Sequence, residues 1–98
     1  MLKPTHKALQ AVCHDFRNVV NGMIEEFNEL GCEVTSLVES SDPIFSQRSN
    51  IVINLLNEKT GKSVTLPARL TRAFRKDGSW CYRIRWQHPY SFDAAKAL

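Results

Sequence analysis

Arg69, Arg75, Arg83 and Arg85 are crowded into one short stretch that ends at Trp86. A guanidinium stays protonated and presents a planar fork of donors, so several on one surface can hold a phosphate or carboxylate bidentately. Whether they share a surface depends on the element that carries them. Asp77-Gly78, flanked by alternating apolar residues, is a hairpin signal. A five-residue loop over Arg75 to Ser79 pairs Phe74 with Trp80, Leu70 with Ile84 and Ala68 with Trp86. The opposite face then sets Arg69 across from Arg85 and Thr71 across from Arg83. Like charges placed directly opposite are unfavourable unless an anion or a carboxylate lies between them. Arg69, Arg83 and Arg85, with Arg75 at the hairpin tip, are therefore the candidate anion-contact residues. Their counterpart is expected to be an acidic protein surface or a phosphate-bearing ligand, with nucleic acid as the alternative.

The aromatic residues of the same hairpin fall on its other side. Phe74, Trp80, Tyr82 and Trp86 share the apolar face with Leu70 and Ile84, which assigns them to the core rather than to base stacking. Arg72 falls on that apolar face as well, and so must reach the rim or meet a carboxylate.

Other chemistry finds little support. His6, Cys13, His14, Cys32, Cys81 and His88 are the soft ligands, and none stand at zinc-site spacing. No CxxC, nucleophile elbow or glycine-rich phosphate loop appears. Glu25 and Glu26, with Glu29, form the nearest carboxylate group, and solvation is the ordinary explanation for them. The expectation is a non-enzymatic chain with no metal and no cofactor.

Charge is unevenly distributed. Residues 1–49 carry four Lys/Arg against seven Asp/Glu, and residues 50–98 carry nine against three. An acidic half joined to a basic half implies an oriented electrostatic surface. No apolar run approaches membrane-spanning length, and Met1 is not followed by a signal-type apolar segment, so a cytoplasmic location is expected. Ninety-eight residues are expected to form one domain, 1–98.

The positioning elements begin with residues 5–30. Leu9, Val12, Cys13, Phe16, Val19, Val20, Met23, Phe27 and Leu30 recur at helical spacing, with Thr5 placed to cap the start and Gly31 the end. This reads as one long amphipathic helix of roughly 38 Å at 1.5 Å per residue. Such a rod overhangs a domain whose radius of gyration is about 13 Å. Either Asn21-Gly22 bends it, or the overhang packs on a second copy through Leu9, Val12 and Phe16. Four strands are expected between 33 and 87: Glu33–Val38, Asn50–Asn57, Ser63–Phe74 and Trp80–Gln87. Pro67 implies a local edge or bulge. His88-Pro89 ends the sheet, and Ser91 caps a short helix over 91–98. The fold class is thus α+β: a long N-terminal helix on a four-stranded antiparallel meander, either an open sheet or a small barrel, with a short C-terminal helix.

Residues Val64-Thr65-Leu66-Pro67-Ala68-Arg69-Leu70-Thr71-Arg72 and Tyr82-Arg83-Ile84-Arg85-Trp86 fit the paired strand patterns "V-x-L-x-A/G-x-V/L-x-R" and "Y-R-I/V-x-W/F". In these the stretch from Asn50 to Trp86 resembles the second half of PilZ domains. The resemblance implies a β-barrel with a regulatory role. PilZ domains that bind cyclic di-GMP carry an RxxxR motif and a (D/N)xSxxG motif. Here Arg17 stands alone, and Ser40-Ser41-Asp42-Pro43 has no closing glycine. The likeness therefore implies a member that acts by contact with another protein. The resulting expectation is a small adaptor or regulatory domain working through a basic sheet face. A sequence-tolerant nucleic-acid binder and a self-associating structural module are the alternatives.

Overall fold

The computed structural model describes residues 9–88 and 91–98. Six antiparallel strands, β1 (Leu9–His14), β2 (Val19–Phe27), β3 (Gly31–Ser36), β4 (Asn50–Asn57), β5 (Ser63–Lys76) and β6 (Ser79–Trp86), close into a barrel in the order β1-β2-β3-β6-β5-β4. One short helix, α1 (Ser91–Lys96), follows. The described residues extend 34 × 26 × 22 Å. Thr5 and Pro89 lie outside the described residues.

The expected α+β architecture is overturned at the N-terminus. Residues 9–27 form a β-hairpin, not a helix, and there are six strands rather than four. Leu9, Ala11 and Cys13 point into the barrel from β1, as do Val20 and Ile24 from β2. The reversal between them is local. Asp15 Oδ1 accepts from the Arg17 and Asn18 amides at 3.0 and 2.7 Å, a side-chain-closed turn that competes with helix. β-Branched Val12, Val19 and Val20 add to the strand preference.

The two glycines read as a kink and a helix cap serve close packing instead. At Gly22 a Cβ would lie 2.4 Å from Val34 Cγ1, and at Gly31 it would lie 1.8 Å from the Ile84 carbonyl oxygen. Only hydrogen fits between β3 and β6 at Gly31.

Both ends of the barrel are plugged. At one end the β3–β4 loop folds inward. Phe45 is buried with its ring edge on Tyr82, and the Ile44 amide donates to Tyr82 Oη at 2.8 Å. Trp80 Nε1 donates to the Ser40 carbonyl at 3.0 Å. At the other end Trp86 Nε1 donates to the Asn28 carbonyl at 2.9 Å, and α1 packs Phe92 against Phe27. Leu66, Leu70, Ile84 and Trp86 occupy the core as expected of the apolar hairpin face, and Trp80 packs half-buried against it.

The hairpin itself carries one correction. Ala68–Trp86, Arg69–Arg85 and Leu70–Ile84 pair as the sequence implies, and then a bulge at Thr71 shifts the register. Beyond it Arg72 faces Arg83 and Phe74 faces Cys81. The turn is the two-residue Asp77-Gly78 with φ of 52° and 83°, the left-handed pair that a tight hairpin demands. Pro67 is tolerated because pairing with β6 begins only at Ala68, so β5 is locally an edge there.

Candidate functional site

Arg69 on β5 and Arg85 on β6 are direct cross-strand neighbours on the outer surface of the barrel. A third guanidinium joins them from the chain just before β4. The Arg48 amide donates to the Leu70 carbonyl at 2.8 Å and the Leu70 amide to the Ser49 carbonyl at 2.9 Å, so this segment prolongs the β4–β5 ladder. Arg48 has a φ of 65°, a left-handed conformation that an arginine rarely takes without surrounding constraint. Arg69 Nε donates to the Arg48 carbonyl at 3.4 Å. Arg48, Arg69, Leu70, Thr71 and Arg85 line an open cleft of about 340 Å³. Among the described residues, no carboxylate forms an ion pair with any of these three arginines.

The bulge shapes this surface. It turns both Thr71 and Arg72 outward, and Thr71 Oγ1 donates to the Arg83 carbonyl at 3.1 Å. Thr71 and Arg85 also border a second cleft of about 380 Å³, which runs on to Glu26, Asn28, Leu30 and Glu33.

The four sequence-designated arginines therefore separate. Arg69 and Arg85 stand together as expected. Arg83 is on the same face, but its Nε donates to Glu33 Oε2 at 2.9 Å and its Nη2 to the same oxygen. Glu33 faces it directly across the β3–β6 pair. Arg75 leaves the group: past the bulge it pairs with Trp80, its guanidinium lies 5.4 Å from that ring, and it donates to the Gly78 carbonyl. Arg72 escapes the apolar face by the same register shift. Its guanidinium and that of Arg83 approach the Phe74 ring at 5.2 and 5.6 Å. Phe74 is thus an outward aromatic residue and not a core one.

Arg48 was missed, because a loop residue announces nothing about the strand it will pair with. Of the expected self-association contacts, Leu9 is in the barrel interior, whereas Val12 and Phe16 are exposed. Glu25 and Glu26 sit at a second bulge, in β2, which leaves both at the surface.

The thiols are sealed away. Cys13 is pushed up to about 12 by burial, and Cys32 is raised by burial, then by Cys13 and Glu33. Thiols held protonated in this way are poor nucleophiles and poor metal ligands at neutral pH. Among the described residues no three His, Cys, Asp or Glu side chains gather as metal ligands, and no helix is long and apolar enough to cross a membrane. Comparison with protein-family models, curated proteins and solved structures found no match for this chain.

Proposed function

We propose that this chain is a small non-enzymatic adaptor or regulatory domain that grips an acidic protein surface in the Arg48–Arg69–Arg85 cleft. The observation that carries this reading is the pairing of Arg69 with Arg85 across a ladder, with Arg48 beside them and no described carboxylate in ion-pair contact with any of the three. Such crowding costs energy until an anion enters. The lining offers guanidiniums, one hydroxyl and aliphatic surface. These are donors for holding an anion.

A second reading has one observation in its favour. Phe74 lies outward beside Arg72 and Arg83, so an aromatic ring and guanidiniums share a face as they do in single-strand nucleic-acid binders.

A fluorescent glutamate-rich peptide and a mixed-sequence oligonucleotide, each titrated over a salt series, separate the two. The acidic-surface reading expects peptide binding that is lost in Arg48→Gln/Arg69→Gln/Arg85→Gln and kept in Arg83→Gln, whose guanidinium Glu33 already holds. Oligonucleotide binding that falls in Phe74→Ala favours the second reading. Peptide affinity unchanged by the triple substitution refutes the first.

A further inference from the structure

The Arg48–Arg69–Arg85 cleft does not end at Arg85. Thr71 and Arg85 border both it and the second cleft, so the volumes of about 340 and 380 Å³ join into one groove. The groove crosses the outside of β5, β6 and β3 and reaches Glu26 in the last turn of β2. The bulge in β5 makes the join. It turns Thr71 outward, where Oγ1 is held by donating to the Arg83 carbonyl at 3.1 Å.

The two ends of this groove carry opposite charge. At the far end Glu26 stands directly across from Glu33, and Glu33 across from Arg83. Arg83 offsets the Glu33 carboxylate through its two contacts to Oε2. Glu26 has no such counterpart: it is exposed, and among the described residues no cation forms an ion pair with it. Two carboxylates set across a ladder are unfavourable in the same way as two guanidiniums. One end of the groove therefore lacks an anion and the other lacks a cation.

The surroundings of Glu26 suit a lysine. The register shift between Ile24 and Glu26 brings its side chain to the surface. Asn28 Oδ1 closes the β2–β3 turn by accepting the Leu30 and Gly31 amides at 2.8 and 3.3 Å, and Trp86 Nε1 donates to the Asn28 carbonyl at 2.9 Å. That turn holds Leu30 at the rim, 62% exposed. A lysine stem lies along apolar surface while its ammonium reaches outward to a carboxylate. About two and a half strand spacings and two residues of rise separate Glu26 from the Arg69–Arg85 pair, a contour of roughly 14 Å, or about four residues of extended chain. The path follows the curve of the barrel, which a flexible segment can do and a flat rigid surface cannot.

We infer that the joined groove binds an extended peptide segment of mixed charge, with acidic residues in the Arg48–Arg69–Arg85 cleft and, about four residues along the segment, a lysine lying over Leu30 against Glu26. This rests on the acidic-surface reading of the arginine cleft and adds a second, oppositely charged contact to it.

Fluorescence anisotropy of the intact chain with three kinds of labelled peptide tests the groove. The first peptide carries two adjacent glutamates in a glycine–serine background. The second adds a lysine about four residues away, placed before the glutamates in one version and after them in another. The third has the composition of the second with the lysine next to the glutamates. A lysine lowers the peptide's negative charge, so attraction to a chain of net charge +3 would by itself weaken binding. The groove expects the opposite: one version of the second peptide binds roughly threefold or more tighter than the first, and the third shows no such gain. Glu26→Gln should remove the gain and Glu26→Lys should invert it, with near-ultraviolet circular dichroism checking that both variants are folded. Equal affinity for the first and second peptides, a gain shared by the third, or a gain that survives Glu26→Gln overturns the groove and leaves the acidic-surface reading standing. Failure of every peptide to bind overturns that reading, and this inference with it.

Discussion

Arg83 and Arg85 lie two residues apart on the outward face of β6, and what stands across from each separates them. Glu33 holds Arg83 on β3, while Arg85 meets Arg69 on β5. An exposed pair such as Arg83–Glu33 adds little to stability, typically below about 1 kcal/mol, but it fixes a guanidinium that would otherwise be available to a ligand. The buried titratable residues make the opposite contribution, to stability rather than binding. Cys13, Cys32 and Tyr82 are all raised, with burial the leading cause in each. In the unfolded chain a thiol ionises near pH 8.5. Below that value both states keep their protons and the contribution is intact. As pH climbs past it the unfolded chain releases protons that the folded chain retains, so stability declines toward pH 12. Urea unfolding at pH 8.0, 9.5 and 10.5 should give progressively lower midpoints (all three values placed around the thiol range). Cys13→Ala/Cys32→Ala should flatten the trend, and a midpoint independent of pH would contradict the assignment.

At the level of elements, the β5–β6 hairpin shows what can be expected of a sequence. Asp77-Gly78 declares the turn, alternation declares the strands, and four of the expected core residues, Leu66, Leu70, Ile84 and Trp86, are buried. The same reasoning makes Trp86→Ala costly, about 3–5 kcal/mol for emptying a core aromatic site, measurable as a lowered urea midpoint. A loss below about 1 kcal/mol would place the ring outside the core. What alternation does not declare is a bulge, and one inserted residue at Thr71 moved Phe74 out of the core and Arg75 out of the site. The N-terminal hairpin was misread for a more instructive reason. A strand buried on one face announces itself by polar outward positions. In β1 and β2 several outward positions are apolar, namely Val12, Val19 and Met23. Added to the inward set of Leu9, Cys13 and Val20, they fill a helical stripe. The false helix signal has a plain origin: outward apolar residues, added to the inward set, fill in the polar positions by which a one-sided strand is recognised. The expectation of self-association loses the helix overhang that suggested it.

Over the whole molecule, closing the sheet sets two unlike surfaces on opposite sides. The junction of β5 and β6 is diametrically across the ring from that of β1 and β2, so arginines and exposed aliphatics do not compete for space. The charge asymmetry of the sequence is expressed the same way, with Glu25, Glu26 and Glu33 on β2 and β3 and the arginines on β5 and β6.

Closure of the ring also dictates the order in which the molecule comes apart. The β5–β6 ladder is joined by a two-residue turn and closes a short loop, whereas the β1–β4 seam pairs Leu9 with Asn57 and His14 with Val52. Contacts so distant along the chain must overcome more loop entropy before they stabilise anything, so they form late and open first. The seam is the ring's clasp. Native-state hydrogen exchange should find the amides bridging β1 and β4 opening at a lower free energy than those bridging β5 and β6, which should exchange only through global unfolding. Uniform protection around the ring would mean that the clasp has no separate existence, and that the barrel opens all at once or not at all.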